Sequence, residues 1–204
     1  MTESARTDRG NATREKILQA AEEVFATHSF AASRLEDVAI AVGIRRASLV
    51  YYFKSKQELY EAVEARVYRA MIELTEQRLS GINNSQQKLI TILDSWLDFQ
   101  VSRPTAGQLI MRNIADQYPS DLDPIRFSGT ALALWDTTIR EAQAKGEVAA
   151  VEPQHLLQIL AGGILHYVNE SHLLGKQREY DVSDNVQLEK FRALLHQLLR
   201  AVFI

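Results

Sequence analysis

The chain has 204 residues, enough for one or two domains and for a core that needs neither disulfides nor metal to fold. Cysteine is absent and no apolar run nears the roughly 18 residues of a membrane span, so disulfide frameworks, thiolate chemistry and a spanning helix are excluded. The net charge of −3 argues against a uniformly basic nucleic-acid binder, but it is unevenly spread. Residues 1–57 hold nine Lys and Arg against seven Asp and Glu, while residues 58–204 hold fourteen against nineteen.

Residues 1–11 are polar and mixed in charge, unlike a secretory signal, and are expected to form a disordered arm; the protein is expected in the cytoplasm. Helical periodicity dominates everything after them, and Gly and Pro are too scarce for a turn-rich β-sandwich. A first helix starts at Thr13, which caps it, and carries Ile17, Ala21, Val24, Phe25 and His28 on one face. Ser33-Arg34-Leu35-Glu36 has the form of a capping box opening a second, short helix with Leu35, Val38, Ala39 and Val42 inward, stopped by Gly43. A third helix runs from Arg45 to Tyr52 or Phe53. Ser55 caps a fourth, which continues to Leu79. Gly81 to Ser85 is a loop, and helices follow at 85–102, 105–117, 124–145 and 153–174, with a last one bearing Leu188, Phe191, Leu194, Leu195, Leu198 and Val202. The fold class is therefore all-α with nine helices: an N-terminal three-helix head at 12–57 and a helical body at 58–204.

The segment from Ser33 to Lys56 carries the chemistry. Two short helices meet at Val42-Gly43-Ile44, where glycine permits a sharp turn, and in such a helix-turn-helix the second helix enters the DNA major groove. Projected from Arg45, that helix buries Leu49 and Phe53 and turns Ala47, Ser48, Val50 and Tyr51 outward, with Arg45, Arg46 and Tyr52 on its flanks. Small residues permit close approach, and arginine can donate a bidentate pair to guanine. Lys54 and Lys56, together with Ser33 and Arg34, are expected on phosphates.

The residues from Thr13 to Phe25, Phe30, Leu35-Glu36-Asp37-Val38-Ala39, Val42-Gly43-Ile44, Ser48-Leu49, Tyr52-Phe53 and Ser55-Lys56-Gln57-Glu58-Leu59 together resemble the tetracycline-repressor (TetR) family of transcriptional regulators. This sequence departs from the family pattern at Ser29 and Ala47, where glycines are usual, at Arg45, where a small polar residue is frequent, and at Val50, where a tyrosine usually touches the DNA backbone. These changes bear on which operator is read. Tyr51 or Tyr52 is available for the missing backbone contact, and Val50 for a thymine methyl instead.

The resemblance implies that residues 58–204 bind a small-molecule effector and dimerise. Candidate pocket residues are Trp96, Phe99, Gln100, Arg103, Met111, Ile114, Tyr118, Phe127, Trp135, His166, Tyr167 and Glu170, an apolar set with a few polar anchors. His166 and Glu170 share a helix face, but His172 lies on another and no further ligand stands at metal-binding spacing, so a polar anchor is expected there and neither metal nor cofactor. Two apolar helices supply a candidate dimer seam through Leu157, Leu160, Gly162, Gly163, Ile164, Phe191, Leu195, Leu198 and Val202, with Ala161-Gly162-Gly163 permitting close helix approach.

Two other classes compete with a DNA-binding regulator. Against an enzyme, the five histidines form no His-Glu-x-x-His motif, and neither a nucleophile elbow nor a glycine-rich phosphate loop is present. Against a ligand-binding protein without DNA affinity stand Arg45, Arg46, Lys54 and Lys56, four cations in one short segment. The expected partners are a double-stranded, palindromic operator, a small molecule and a second copy of the chain.

Overall fold

A computed structural model of the chain describes residues 3–115, 128–170 and 180–204, and only the backbone of residues 3–9, 114 and 115. Among these residues nine helices are found: α1 (Glu3–Thr27), α2 (Leu35–Val42), α3 (Arg46–Tyr52), α4 (Lys56–Leu79), α5 (Ser85–Ser102), α6 (Pro104–Ala115), α7 (Gly129–Ala144), α8 (Pro153–Asn169) and α9 (Asn185–Arg200). The only β pairing among them is a single antiparallel bridge, Val148 with Phe203, which ties the end of the chain to the loop after α7.

They form two compact units, Met1–Val67 with Gln108–Leu122 and Tyr68–Gly107 with Asp123–Ile204, so both α4 and α6 are divided between units. The sequence reading placed its boundary at residue 57 and gave the head no segment from beyond it.

In the first unit the apolar spacing of α1 puts Ile17, Leu18, Ala21 and Phe25 into a core shared with Val38 and Ala39 of α2, Leu49 and Phe53 at α3, and Leu59, Tyr60 and Val63 of α4. Phe25, Phe30 and Tyr60 form an edge-packed aromatic cluster, with ring centres 4.8 and 4.9 Å from Tyr60. Two expectations for α1 fail. Its first turn is at Glu3, so Thr13 is mid-helix and caps nothing, and the arm expected at 1–11 is helical from residue 3. His28 follows the last helical residue and is exposed.

Arg112 of α6 closes the other end of α1. Its Nε donates to the Ala26 carbonyl (2.7 Å) and its guanidinium NH2 to that of Thr27 (2.8 Å), which satisfies two carbonyls that a helix C-terminus leaves open. Asn113 beside it accepts the Tyr60 hydroxyl and donates to the Glu64 carboxylate at 2.6 Å. Glu22, only 3% exposed, is paired with Arg66 at 3.3 Å, the partner a buried carboxylate requires.

In the second unit α5 is central and packs on α7, α8 and α9. Asn84 caps it by accepting from Gln87 N (2.8 Å), and Asp184 caps α9 by accepting from Val186 N and Gln187 N. Leu89, Ile92, Leu93 and Leu97 of α5 meet Trp135 and Ile139 of α7, Leu160 and Ile164 of α8 and Leu199 of α9 in the core. Arg192 of α9 bridges Asp94 (3.0 Å) and Asp98 (2.6 Å) on α5, and Asp94 also meets His196 Nε2 at 2.8 Å. Helix α8 ends at Asn169, five residues before the expected Leu174, with the Glu170 N–H closing on the His166 carbonyl. The expected end of the 105–117 helix and start of the 124–145 helix fall outside the described residues.

Candidate functional site

The turn between α2 and α3 is built on Gly43, whose backbone sits at φ 74°, ψ 32°, a left-handed conformation in which a Cβ is strained. Gly43 N–H donates to the Ile40 carbonyl and Ile44 N–H to that of Ala39, both at 3.0 Å, so the open end of α2 is closed where the chain reverses. At the start of α2, Asp37 accepts from Arg34 N at 3.0 Å. The cap is therefore Arg34 with Asp37, one residue later than the expected Ser33 with Glu36.

Helix α3 lies on this scaffold with Leu49 completely buried and Phe53, just past its last turn, 1% exposed. The Arg14 guanidinium lies 4.9 Å from the Phe53 ring centre and covers it from α1. Arg45, Arg46, Ala47, Ser48, Val50 and Tyr51 are all exposed, Tyr51 by 82%, and Tyr52 is half-buried with its ring edge-on to Tyr51. Two short-spaced apolar anchors thus hold seven residues of helix rigidly while the opposite face is left to water. Arg46 is not wholly uncommitted: its Nε pairs with Glu36 of α2 at 2.9 Å across an open surface. Arg34 and Lys54 are exposed, and Lys54 N donates to the Glu58 carboxylate (2.8 Å) while Ser55 Oγ accepts from Glu58 N (3.0 Å), the cap expected at the head of α4.

Two expected phosphate contacts are corrected. Ser33 is 2% exposed and its hydroxyl donates to the Ser29 carbonyl at 2.8 Å, so it pins the turn after α1 and faces no solvent. The Lys56 ammonium donates to the carbonyls of Phe30 (2.6 Å), Ser33 (3.0 Å) and, at longer range, Ala31 (3.4 Å), and sits 4.3 Å from the Phe30 ring centre. All three ammonium donors are spent on that turn, so Lys56 is a staple between α4 and the loop before α2.

In the second unit, Trp96, Phe99, Gln100, Trp135 and Tyr167 are buried, with Trp96 and Trp135 ring centres 6.3 Å apart. Trp135 is structurally committed, since its indole N–H donates to the Pro153 carbonyl at 2.9 Å. Burial above all, with Tyr180, Asp184 and Asp181 adding to it, pushes the Tyr167 hydroxyl above the usual phenol range, so it stays protonated. Arg103 and Glu170 are half-buried, and Arg103 lies over the Phe99 ring at 5.7 Å, whereas Met111, also half-buried, belongs to the first unit. His166 is exposed. Tyr118, Phe127 and His172, and the side chain of Ile114, lie outside the described residues. No group of three or more metal-ligating side chains is found among the described residues.

The sequence missed Asn169. Among the described residues, Trp96 Nε1, Gln100 Oε1, Tyr167 OH and Asn169 Oδ1 are buried polar atoms without a hydrogen-bond partner. A Cβ at Gly107 would stand 3.1 Å from the Asn169 amide nitrogen and 3.2 Å from Gln100 Oε1. The signal for this meeting is Gly107 itself, a glycine inside a helix, which commonly marks a close approach.

Most residues expected at a dimer seam are not exposed apolar surface. Leu157, Leu160, Ile164 and Leu195 are buried in the unit's own core, and Phe191 is stacked on Tyr167 at 4.2 Å with parallel rings. Gly162 and Leu198 are exposed; Gly163 and Val202 are half-buried. The apolar surface left open on α8 and α9 is Ile159 (66% exposed), Val186 (63%), Leu194 (49%) and Leu198 (45%). Only Leu198 of these was expected at the seam.

Residues 17–63, which span the helix-turn-helix, match the family model of bacterial regulatory proteins, tetR family. The chain is 29% identical over 165 residues to the HTH-type transcriptional regulator RutR of Escherichia coli (strain K12), covering 78% of this chain and 75% of that one. It is 23% identical over 185 residues to the HTH-type transcriptional repressor NicS of Pseudomonas putida, covering 88% and 86% respectively. A crystal structure of a TetR family transcription regulator from Marinobacter aquaeolei VT8 superposes with a TM-score of 0.79 at 19% identity, covering 97% of this chain and 98% of that one. The outward-facing helix α3, the residues around it and these likenesses agree: residues 17–63 form a helix-turn-helix of the tetR-family type, and the chain as a whole is similar to DNA-binding transcriptional regulators.

Proposed function

We propose that the protein is a cytoplasmic homodimer that represses transcription from a palindromic operator and releases it when a small molecule enters the second unit. The observation that carries the reading is the exposed face of α3 from Arg45 to Tyr51, anchored by Leu49 and Phe53. A single seven-residue helix covers only a few base pairs, so specificity calls for two copies about 34–36 Å apart, one turn of DNA, or a multiple of that spacing. The open apolar residues Ile159, Val186, Leu194 and Leu198 support pairing through α8 and α9, since a second copy could cover large apolar side chains that the chain's own core leaves exposed. The buried, unpartnered polar atoms around Gln100 support a small-molecule site in the second unit. An effector that favours dimers with another spacing of the two α3 helices shifts the population off DNA, and DNA weakens the effector by the same factor. Repression follows sterically when an occupied operator excludes polymerase.

The test is retention of DNA selected from a random pool, measured against salt. The wild-type chain is expected to enrich a palindrome and to lose affinity steeply as salt rises. Arg46→Ala is expected to lose about 1–3 kcal/mol of discrimination, roughly 5- to 150-fold in affinity, with the oligomeric state unchanged. Unchanged affinity for the selected DNA refutes the assignment of the reading face.

A further inference from the structure

The unpartnered polar atoms of the second unit specify a ligand chemistry, an inference that rests on reading this unit as the effector site. Gln100 and Trp96 stand one turn apart on α5, on the same face, and both are 5% exposed. Asn169, at the end of α8, reaches the same place as Gln100, because both amide heads converge above Gly107. The orientation of the Asn169 amide is fixed by its nitrogen, which donates to the Leu165 carbonyl at 2.8 Å, so the atom left over is the oxygen. Two buried carbonyl oxygens thus lack a donor, and one buried indole N–H lacks an acceptor. Tyr167 also has an unpartnered hydroxyl, but its ring is taken up by the stack with Phe191 and Tyr180, and it leaves α8 in another direction from Asn169.

We propose that Trp96, Gln100 and Asn169 are the recognition edge for a small, neutral ligand that carries a primary-amide-type group on an apolar body. Two N–H donors of such a group meet Gln100 Oε1 and Asn169 Oδ1, and its carbonyl accepts from Trp96 Nε1. A carboxylate would set negative oxygens against two carbonyl oxygens. An ammonium would satisfy the oxygens but face the positive end of the indole dipole. None of the three unpartnered atoms carries a formal charge to balance either ion, and a buried, unbalanced charge is strongly disfavoured. Gly107 belongs to the device: any side chain there would crowd both amide heads.

Benzamide, benzoate and benzylammonium, which share a ring and differ in charge, are the probes, each added to the full-length protein at the same millimolar concentration. Benzamide is expected to raise the thermal midpoint and change tryptophan fluorescence, and the two ions to do neither. Gln100→Leu is expected to weaken benzamide about ten-fold, the effect of one lost hydrogen bond of about 1.4 kcal/mol. The same variant is expected to keep or raise the midpoint of the unliganded protein, because it removes an unsatisfied buried acceptor. Gly107→Ala is expected to weaken benzamide as well. The proposal is overturned if benzamide does not bind, if either ion binds as well as benzamide, if Gln100→Leu leaves benzamide binding unchanged, or if it sharply lowers the unliganded midpoint. Benzamide binding with undiminished DNA retention leaves this inference standing and sinks the effector reading. Release of DNA by a charged compound insensitive to Gln100→Leu does the reverse.

Discussion

Replacing Lys56 by methionine keeps most of the side-chain volume and the contact with Phe30 but removes the ammonium. The three carbonyls it holds, at 2.6, 3.0 and 3.4 Å, belong to the turn before α2, and the surroundings are half-exposed. A hydrogen bond to a charged group contributes about 1.5–3 kcal/mol; solvent can replace part of it here, and the 3.4 Å contact adds little, so a loss of about 2–3 kcal/mol is expected. For a chain of this size that lowers the thermal midpoint by about 4–12 °C, at roughly 2–4 °C per kcal/mol. Differential scanning calorimetry reads the midpoint, and DNA retention against salt reads the other half of the argument. A phosphate-binding lysine contributes about 0.9 to the slope of log affinity on log salt; a staple contributes none. An unchanged midpoint together with a slope reduced by about one would refute the reasoning and return Lys56 to the DNA surface.

Glu36→Gln releases Arg46 from its 2.9 Å pairing and removes a negative charge beside the reading face, so DNA affinity is expected to rise a few-fold at low salt and to converge with wild type at high salt; a fall at low salt would contradict it. Leu49→Ala removes a fully buried anchor and is expected to cost about 2–5 kcal/mol of head stability, seen in the thermal midpoint, with DNA affinity falling alongside it. Leu194→Glu combined with Ile159→Glu charges the open face of α8 and α9; sedimentation is expected to show monomers whose far-ultraviolet circular dichroism is unchanged, and an intact dimer would refute the proposed seam.

How α3 presents itself was legible because both requirements are local: Leu49 and Phe53 are four apart, and Gly43 is a turn signal that needs no distant partner. Ser33 and Lys56 were misread for the opposite reason. Hydroxyls and ammonium groups serve phosphates and backbone carbonyls alike, and the carbonyls that claim Lys56 lie 23 to 26 residues earlier in the chain. Leu157, Leu160 and Ile164 were read as seam residues, yet they lie in the core, because α8 and α9 are apolar on more than one face. Periodicity gives the stripes but does not say which one, Leu157-Leu160-Ile164 or the side with Ile159, meets the subunit's own core. Thr13 looked like a cap because its sequence signal is local, yet the chain before it continues the helix. Asn169 escaped notice because its importance lies in what it lacks, a property visible only once its neighbours are in place.

The grip of Arg112 on the last carbonyls of α1 has a consequence for how the head is made. Those contacts span 85 and 86 residues of sequence, so a nascent chain that has emerged only through α4 still lacks the group that finishes its first helix. Long-range closures of this kind come late in folding. A fragment cut after the fourth helix is then an incomplete object, expected to fray at Ala26 and Thr27 and to bind DNA poorly even with every groove-facing residue present. The working boundary of the DNA-reading piece is set by an arginine three helices beyond the one expected to do the reading.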